Sequence, residues 1–333
     1  MKNKILVTIV TRNNEVMLRH LIESIEKNDS GYEYDLLLLD TESDDKKHLF
    51  ALDEFSKKYK VQTVVDDRVE VTYNIAWKEN QDYQYYFFMH DDCHVERKDW
   101  LKVFVDRMNS GYYEQIIENT HFKNLPIGRV SIGNQFWRDY YSVKGHSVQC
   151  VFLKYALELI YPGKVPEIFK LVDCDRLLIK ADCLFQIGGF RNIKEFVELK
   201  KQNIEIFDKL CNILNSYLPY PDEGMYPKEI YPPGEYWNKI TLTTEYMDSI
   251  DPLIKGWRGV GLYDDGYLEQ IHGFDVPRQH RYITHYGSPN YREFIAKKFN
   301  SNREEVRKYF KDKIFLIKCD KLFKEYLEKH GDI

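Results

Sequence analysis

The 333-residue chain has no apolar run near the ~18–20 residues that span a bilayer; Ile5–Val10 and Leu36–Leu39, its most hydrophobic stretches, are strand-length. Its start, Met1-Lys2-Asn3-Lys4, lacks the apolar length and small-residue cleavage site of a secretory signal. Cysteine is scarce: six residues, none in a C-x-x-C pair, which fits a reducing compartment and sets a cytoplasmic location as the expectation. Gly and Pro number only 17 and 11, which excludes collagen-like or low-complexity disorder. Basic residues do not outnumber acidic ones, 48 against 53, so no nucleic-acid partner is expected. There is no G-x-G-x-x-G after the first apolar run, no G-x-x-x-x-G-K-[ST] and no G-x-S-x-G. Those absences argue against dinucleotide oxidoreductases, P-loop phosphotransferases and α/β-hydrolases.

What is present is aromatic and alternating. Tyr, Phe and Trp number 26, 19 and 5. Surfaces for ligands of mixed apolar and hydroxyl character and the base composition of an AT-rich genome both produce such a Tyr share. In the first hundred residues two periodicities take turns. Ile5–Thr11 is β-branched and nearly all apolar, as in a strand buried on both faces. Asn13 or Asn14 can cap the helix whose apolar stripe is Val16, Leu18, Leu21, Ile22 and Ile25. Strands at Asp35–Leu39, Val61–Val65 and Tyr85–Met89 alternate with helices through Leu49, Leu52, Phe55 and Tyr59 and over Val69–Lys78. This pattern predicts an α/β fold with a doubly wound, mainly parallel sheet, whose ligands sit beyond the carboxyl ends of the strands.

The second half is less regular. Strands are expected at Ile127–Ile132 and Asp173–Ile179, then a helical turn at Cys183–Ile187. Residues 194–217 are charged and helical in pattern. Five prolines and four tyrosines mark 219–236 as an irregular loop, read as an acceptor lid or a packed spacer. Residues 290–333 form a charged helical appendage behind a domain over 1–289. That domain divides into a first half over 1–95 and a second over 125–289, with an insertion at 191–260.

The strongest local signal is Phe87-Phe-Met-His-Asp-Asp-Cys-His-Val95, where two adjacent carboxylates follow a buried strand. Side-by-side like charges repel, and a cation between them and a ligand relieves the repulsion. Hard oxygen ligands favour Mg²⁺ or Mn²⁺, with a diphosphate completing the shell. A solvated acidic turn, or zinc on His90, Cys93 and His94, stays open. Asp264 and Asp265, in Tyr263-Asp-Asp-Gly-Tyr-Leu-Glu269, fit a helix start for dipole reasons alone. His285 follows a β-branched stretch and is either a core histidine or a metal ligand. Asp173 precedes its apolar run and is kept as a contributor to an acceptor pocket.

Taken in order, these segments resemble glycosyltransferases of the GT-A fold, family 2 type, over roughly residues 3–290. The first strand ending in Thr11, followed by Arg12-Asn13-Asn14, is similar to the family's opening, where the base is held. Leu36–Asp40 with Ser43 and Asp44 is similar to its strand-end acidic segment, which implies that Asp40 binds the base. Met89-His-Asp-Asp-Cys93 looks like the D-x-D region with His90 in place of the first acid, which makes Asp92, with Asp91, the implied metal ligand. Asp173–Gly189 is similar to the acceptor edge. Asp264-Asp265 falls where the family carries an E-D pair, which implies Asp265 as general base beside Asp264. His285 lies where many GT-A enzymes have a late histidine at the metal or diphosphate. Thr11, Asn13, Asp40, Asn74, Asp91 and Asp173 complete the implied nucleotide-sugar set.

The resemblance implies a metal-dependent transfer of sugar from a nucleotide-diphosphate donor to a hydroxyl acceptor, a glycan or lipid-linked glycan in polysaccharide biosynthesis, with inversion. A retaining enzyme, a nucleotidyltransferase and a non-catalytic carbohydrate-binding protein are the alternatives. Homodimerisation and peripheral membrane contact through 290–333 stay open.

Overall fold

The structure, a computed structural model, describes residues 2–65, 69–110, 125–131, 134–136, 163, 170–172, 176–190, 251–252, 255–262 and 283–285. Asp173, Asp264, Asp265, the segment 194–217, the loop 219–236 and the appendage 290–333 lie outside the described residues.

In chain order the described elements begin β1 (Lys2–Thr11), α1 (Glu15–Lys27), β2 (Tyr34–Asp40), α2 (Lys46–Ser56) and β3 (Lys60–Thr63). Next come α3 (Val69–Lys78), β4 (Tyr83–His90), β5 (Cys93–Val95), α4 (Lys102–Asn109), β6 (Ile127–Ser131) and β7 (Asn134–Phe136). The last are β8 (Lys170–Val172), β9 (Leu177–Lys180), α5 (Ala181–Ile187), β10 (Arg258–Gly261) and β11 (Ile283–His285). The chain divides into two compact units: Met1–Arg107 with Asp175–Ala181 and His272–Ile333, and Met108–Cys174 with Asp182–Ile271.

In the first unit the strands run β9-β4-β1-β2-β3. β1 is parallel to both β2 and β4, and β2 to β3. Only β9 is antiparallel, on β4. The mainly parallel sheet expected from the alternation is therefore observed. β1 and β4 lie inside it, which is why Ile5, Leu6, Val7 and Ile9, and Tyr86 through Met89, are buried whichever face they point to. Helices cover both faces of β4. Phe88 stacks on Tyr73 of α3 with ring centroids 4.3 Å apart. Phe87, one residue earlier and so on the other face, meets Phe104 of α4 edge-on at 5.0 Å and Trp100 at 5.8 Å. Part of the Tyr content is core: Tyr73, Tyr85 and Tyr86 are all buried. Burial pushes the Tyr86 phenol up to about 12.

α2 departs from its expected phase. It ends at Ser56 and buries His48, Ala51 and Leu52, while Leu49 and Phe50 face solvent. Asp45 is the cause: its carboxylate accepts from the His48 backbone N–H at 2.9 Å and sets the helix start. β3 is likewise shorter than the expected Val61–Val65, and Val65 is exposed.

In the second unit β6 and β10 pair in parallel, with Arg129 opposite Gly259 and Ser131 opposite Gly261. β7 and β8 pair antiparallel. The insertion expected over 191–260 ends inside β10, and the strand expected at Asp173–Ile179 begins only at Leu177. Gly128 lies where β6 packs closely: a Cβ there would stand 2.7 Å from Cys183 Sγ and 3.1 Å from Trp257 Cβ. Gly128→Ala is expected to cost about 1–3 kcal/mol in urea unfolding, with Cys183→Ala restoring part of it.

Candidate functional site

β1, β2 and β4 end side by side. Thr11 is level with Asp40 across the β1–β2 pair, and Val10 with His90 across β1–β4. The backbone continues the alignment beyond the strands, since Asp91 N–H donates to the Val10 carbonyl at 3.1 Å and Thr41 N–H to the Thr11 carbonyl at 3.1 Å. Three buried strands whose ends are in register therefore deliver Thr11, Asp40 and Asp91 to one edge.

Asp91 is 8% exposed. The Thr11 hydroxyl donates to its Oδ2 at 2.6 Å, and the Asn14 side-chain amide to its Oδ1 at 2.7 Å. Each carboxylate oxygen thus accepts a charge-assisted bond from the β1–α1 junction. Asn14 occupies the N-cap position of α1 without capping it, because its amide is turned to Asp91. Asp91→Ala is expected to lower stability by about 3 kcal/mol in urea unfolding, because two buried donors lose a charged acceptor. Asp91→Asn should recover part of that loss.

His48, from α2, completes a buried polar cluster. Asn14 N–H donates to His48 Nδ1 at 3.2 Å, so the proton sits on Nε2. Nε2 lies 3.4 Å from Thr11 Oγ1 and 3.7 Å from Asp40 Oδ1. Asp40 is fully buried; it accepts from Ser43 N–H at 3.2–3.3 Å and from the Ser43 hydroxyl. Asn13 bridges the two loops in the open. Its N–H donates to Ser43 Oγ at 2.9 Å, its amide to Asp44 at 2.6 Å, and its Oδ1 accepts from Asp44 and Asp45 N–H. Asn13 and Glu42 carry φ of +48° and +52°, left-handed values that the interlocked loops impose. Of the two, Asn tolerates that conformation better than Glu.

Sequence reasoning identified Thr11, Asn13, Asp40 and Asp91, and the structure brings all four to this edge. It missed His48 and the role of Asn14. The only sequence signal for His48 is its place three and four residues before Ala51 and Leu52 on the buried face of α2. Asn74 of α3 is half-buried, and its Oδ1 accepts from Trp77 Nε1 at 2.9 Å.

Asp92 follows directly on the turn between β4 and β5. β5 pairs antiparallel with β11, and His285 stands in register with Cys93. Two of the expected metal-ligand positions, distant in sequence, are thereby carried by one strand pair and its turn. The His285 side chain lies outside the described residues. His90 Nε2 is buried and has no hydrogen-bond partner among the described residues. Carboxylate and imidazole are suitable donors for Mn²⁺, which accepts nitrogen more readily than Mg²⁺ does. Among the described residues alone, no three His, Cys, Asp or Glu side chains converge on one point. The zinc alternative loses its geometry: Cys93 and His94 alternate to opposite faces of β5, Cys93 fully buried and His94 stacked on His20 at 4.2 Å. Among the described residues no helix is long and apolar enough to cross a membrane.

No family model matches the sequence, and no curated protein matches it. Solved structures do. The mannosyltransferase PcManGT from Pyrobaculum calidifontis, in complex with GDP-Man and Mn²⁺, is 14% identical with a TM-score of 0.36, over 56% of this chain and 47% of that one. TarS 1–349 of S. aureus in complex with UDP is 15% identical with a TM-score of 0.35, over 63% and 55%. The complex of TarS 1–349 with UDP-GlcNAc gives 16% and 0.34, over 56% and 48%. The chain thus spans about half the length of the solved structures it matches. At these scores the similarity assigns the chain to no family.

Proposed function

We propose that the chain is a glycosyltransferase that moves a sugar from a nucleotide-diphosphate donor to a hydroxyl acceptor, with inversion. The observation that carries this reading is the convergence of Thr11, Asp40 and Asp91-Asp92 at the carboxyl edge of β1, β2 and β4. That edge is where a doubly wound sheet without glycine-rich loops has to bind its nucleotide.

The roles follow from the bonds already made. Asp91, held by Thr11 and Asn14, fixes the edge and leaves Asp92 as the metal-binding carboxylate. Asp92 and His285 would hold Mn²⁺ or Mg²⁺, which when bound neutralises charge on the departing nucleoside diphosphate. Asp40 shapes the 41–45 loop through Ser43, and the nucleoside lies against that loop, Thr11 and Asn13, with Asn74 of α3 assigned to the same ligand. Asp265 takes the proton of the acceptor hydroxyl as that oxygen attacks the anomeric carbon from the face opposite the leaving group. Asp264 would assist it, and Asp173 would contribute to the acceptor pocket. The acceptor is a carbohydrate or lipid-linked carbohydrate.

The reading is tested by incubating the full chain with a panel of nucleoside-diphosphate sugars and assaying nucleoside diphosphate release with Mn²⁺ and with EDTA. Release from at least one donor, abolished by EDTA, is expected; no release from any donor across an acceptor panel would count against it.

A further inference from the structure

β6 carries a guanidinium at a fully buried position. Along the strand Ile127, Arg129 and Ser131 share one face, and Gly128 and Val130 the other. All five residues are buried, Arg129 to 1% exposure. Among the described residues, none of Arg129 Nε, Nη1 and Nη2 has a hydrogen-bond partner. The Gly128 face is filled, since even a Cβ there would collide with Cys183. On the Arg129 face the residue opposite on β10 is Gly259, which adds no side chain.

A guanidinium offers five N–H donors in a planar fork and stays charged at any working pH. Burying it without an anion is strongly unfavourable, whereas a phosphate or carboxylate matches its fork with two parallel bonds. We propose that Arg129 is an oxyanion-binding residue, taking a phosphate or carboxylate group of a substrate through a bidentate contact at β6. The site goes beyond the sugar-transfer reading and is testable without turnover. Two sources share the required chemistry: the diphosphate of a nucleotide donor, and an anionic group on the acceptor, which would then be an acidic or phosphorylated glycan.

The experiment is thermal unfolding of the full chain as wild type, Arg129→Met and Arg129→Lys, each alone, with inorganic phosphate and with UDP. Phosphate is expected to raise the melting temperature of the wild type, raise that of Arg129→Lys less and leave Arg129→Met unmoved. Without ligand, Arg129→Met should melt above the wild type, because a neutral side chain of similar length replaces a buried charge that finds no hydrogen-bond partner among the described residues. A UDP shift lost together with the phosphate shift assigns the anion to the donor; a UDP shift that survives assigns it to the acceptor. The proposal is overturned if phosphate does not shift the wild type or shifts Arg129→Met equally. It is also overturned if Arg129→Met melts below the wild type without ligand, the sign of an ion pair within the chain. If these shifts are seen and no donor is turned over, the sugar-transfer reading fails and this one stands.

Discussion

Asp265→Asn is expected to lower the rate of sugar transfer about 10²–10⁴-fold while donor binding stays at the wild-type level. The substitution keeps the shape of the side chain and removes the basic oxygen, so its effect is confined to the step that needs a proton acceptor. The position follows from the second unit, where β6 and β10 run parallel and end together at Ser131 and Gly261. Leu262 N–H closes on the Ser131 carbonyl at 2.7 Å, and Asp264 and Asp265 are the next acids along the chain. In the chain they come just after β10, a parallel strand, and the chemistry of such a sheet gathers at the carboxyl ends of its strands. Asp264→Asn should cost less, since only one of the pair removes the proton. Near-normal turnover by Asp265→Asn would eliminate it as the base, and a product with retained anomeric configuration would eliminate the in-line mechanism with it.

Asp92→Ala is the second large effect. It should abolish Mn²⁺-dependent donor binding and change the unfolding midpoint little, the reverse of Asp91→Ala. The contrast rests on a single residue step along the β4–β5 turn. Asp91 is committed inward, both oxygens accepting from Thr11 and Asn14. Asp92 follows on the turn that leads into the β5–β11 pair, where His285 stands opposite Cys93. If Asp91→Ala proved stable but unable to bind metal, the assignment of the two carboxylates would have to be exchanged.

The sheet was legible because β1, β2 and β4 are buried on both faces, so their sequences are nearly unbroken apolar runs followed by abrupt polar residues. Those transitions located Thr11, Asp40 and Asp91 without any coordinates. The inward commitment of Asp91 that separates it from Asp92 in the proposal was not legible, because adjacent carboxylates look alike until their hydrogen-bond partners are known. His48 was hidden for a related reason: a histidine in an amphipathic helix reads as surface unless a buried partner claims it. Here Asn14 N–H and Thr11 do so, on the buried face of α2 whose start the Asp45 cap sets. β9 was legible as a strand but not as an antiparallel one, and the three-residue strands β5, β7, β8 and β11 are too short to leave a periodic signal. Arg129 offered none either, since a lone arginine in a five-residue strand looks like an exposed position.

The most direct measurement of the central claim is calorimetric titration of the full chain with the donor found by the release assay, in Mn²⁺ and in EDTA, for wild type and Asp92→Ala. Binding to the wild type in Mn²⁺, with none in EDTA and none to Asp92→Ala in either buffer, is the predicted result. Donor binding of equal strength in EDTA, or undiminished binding to Asp92→Ala, would contradict a metal-held diphosphate at the end of β4.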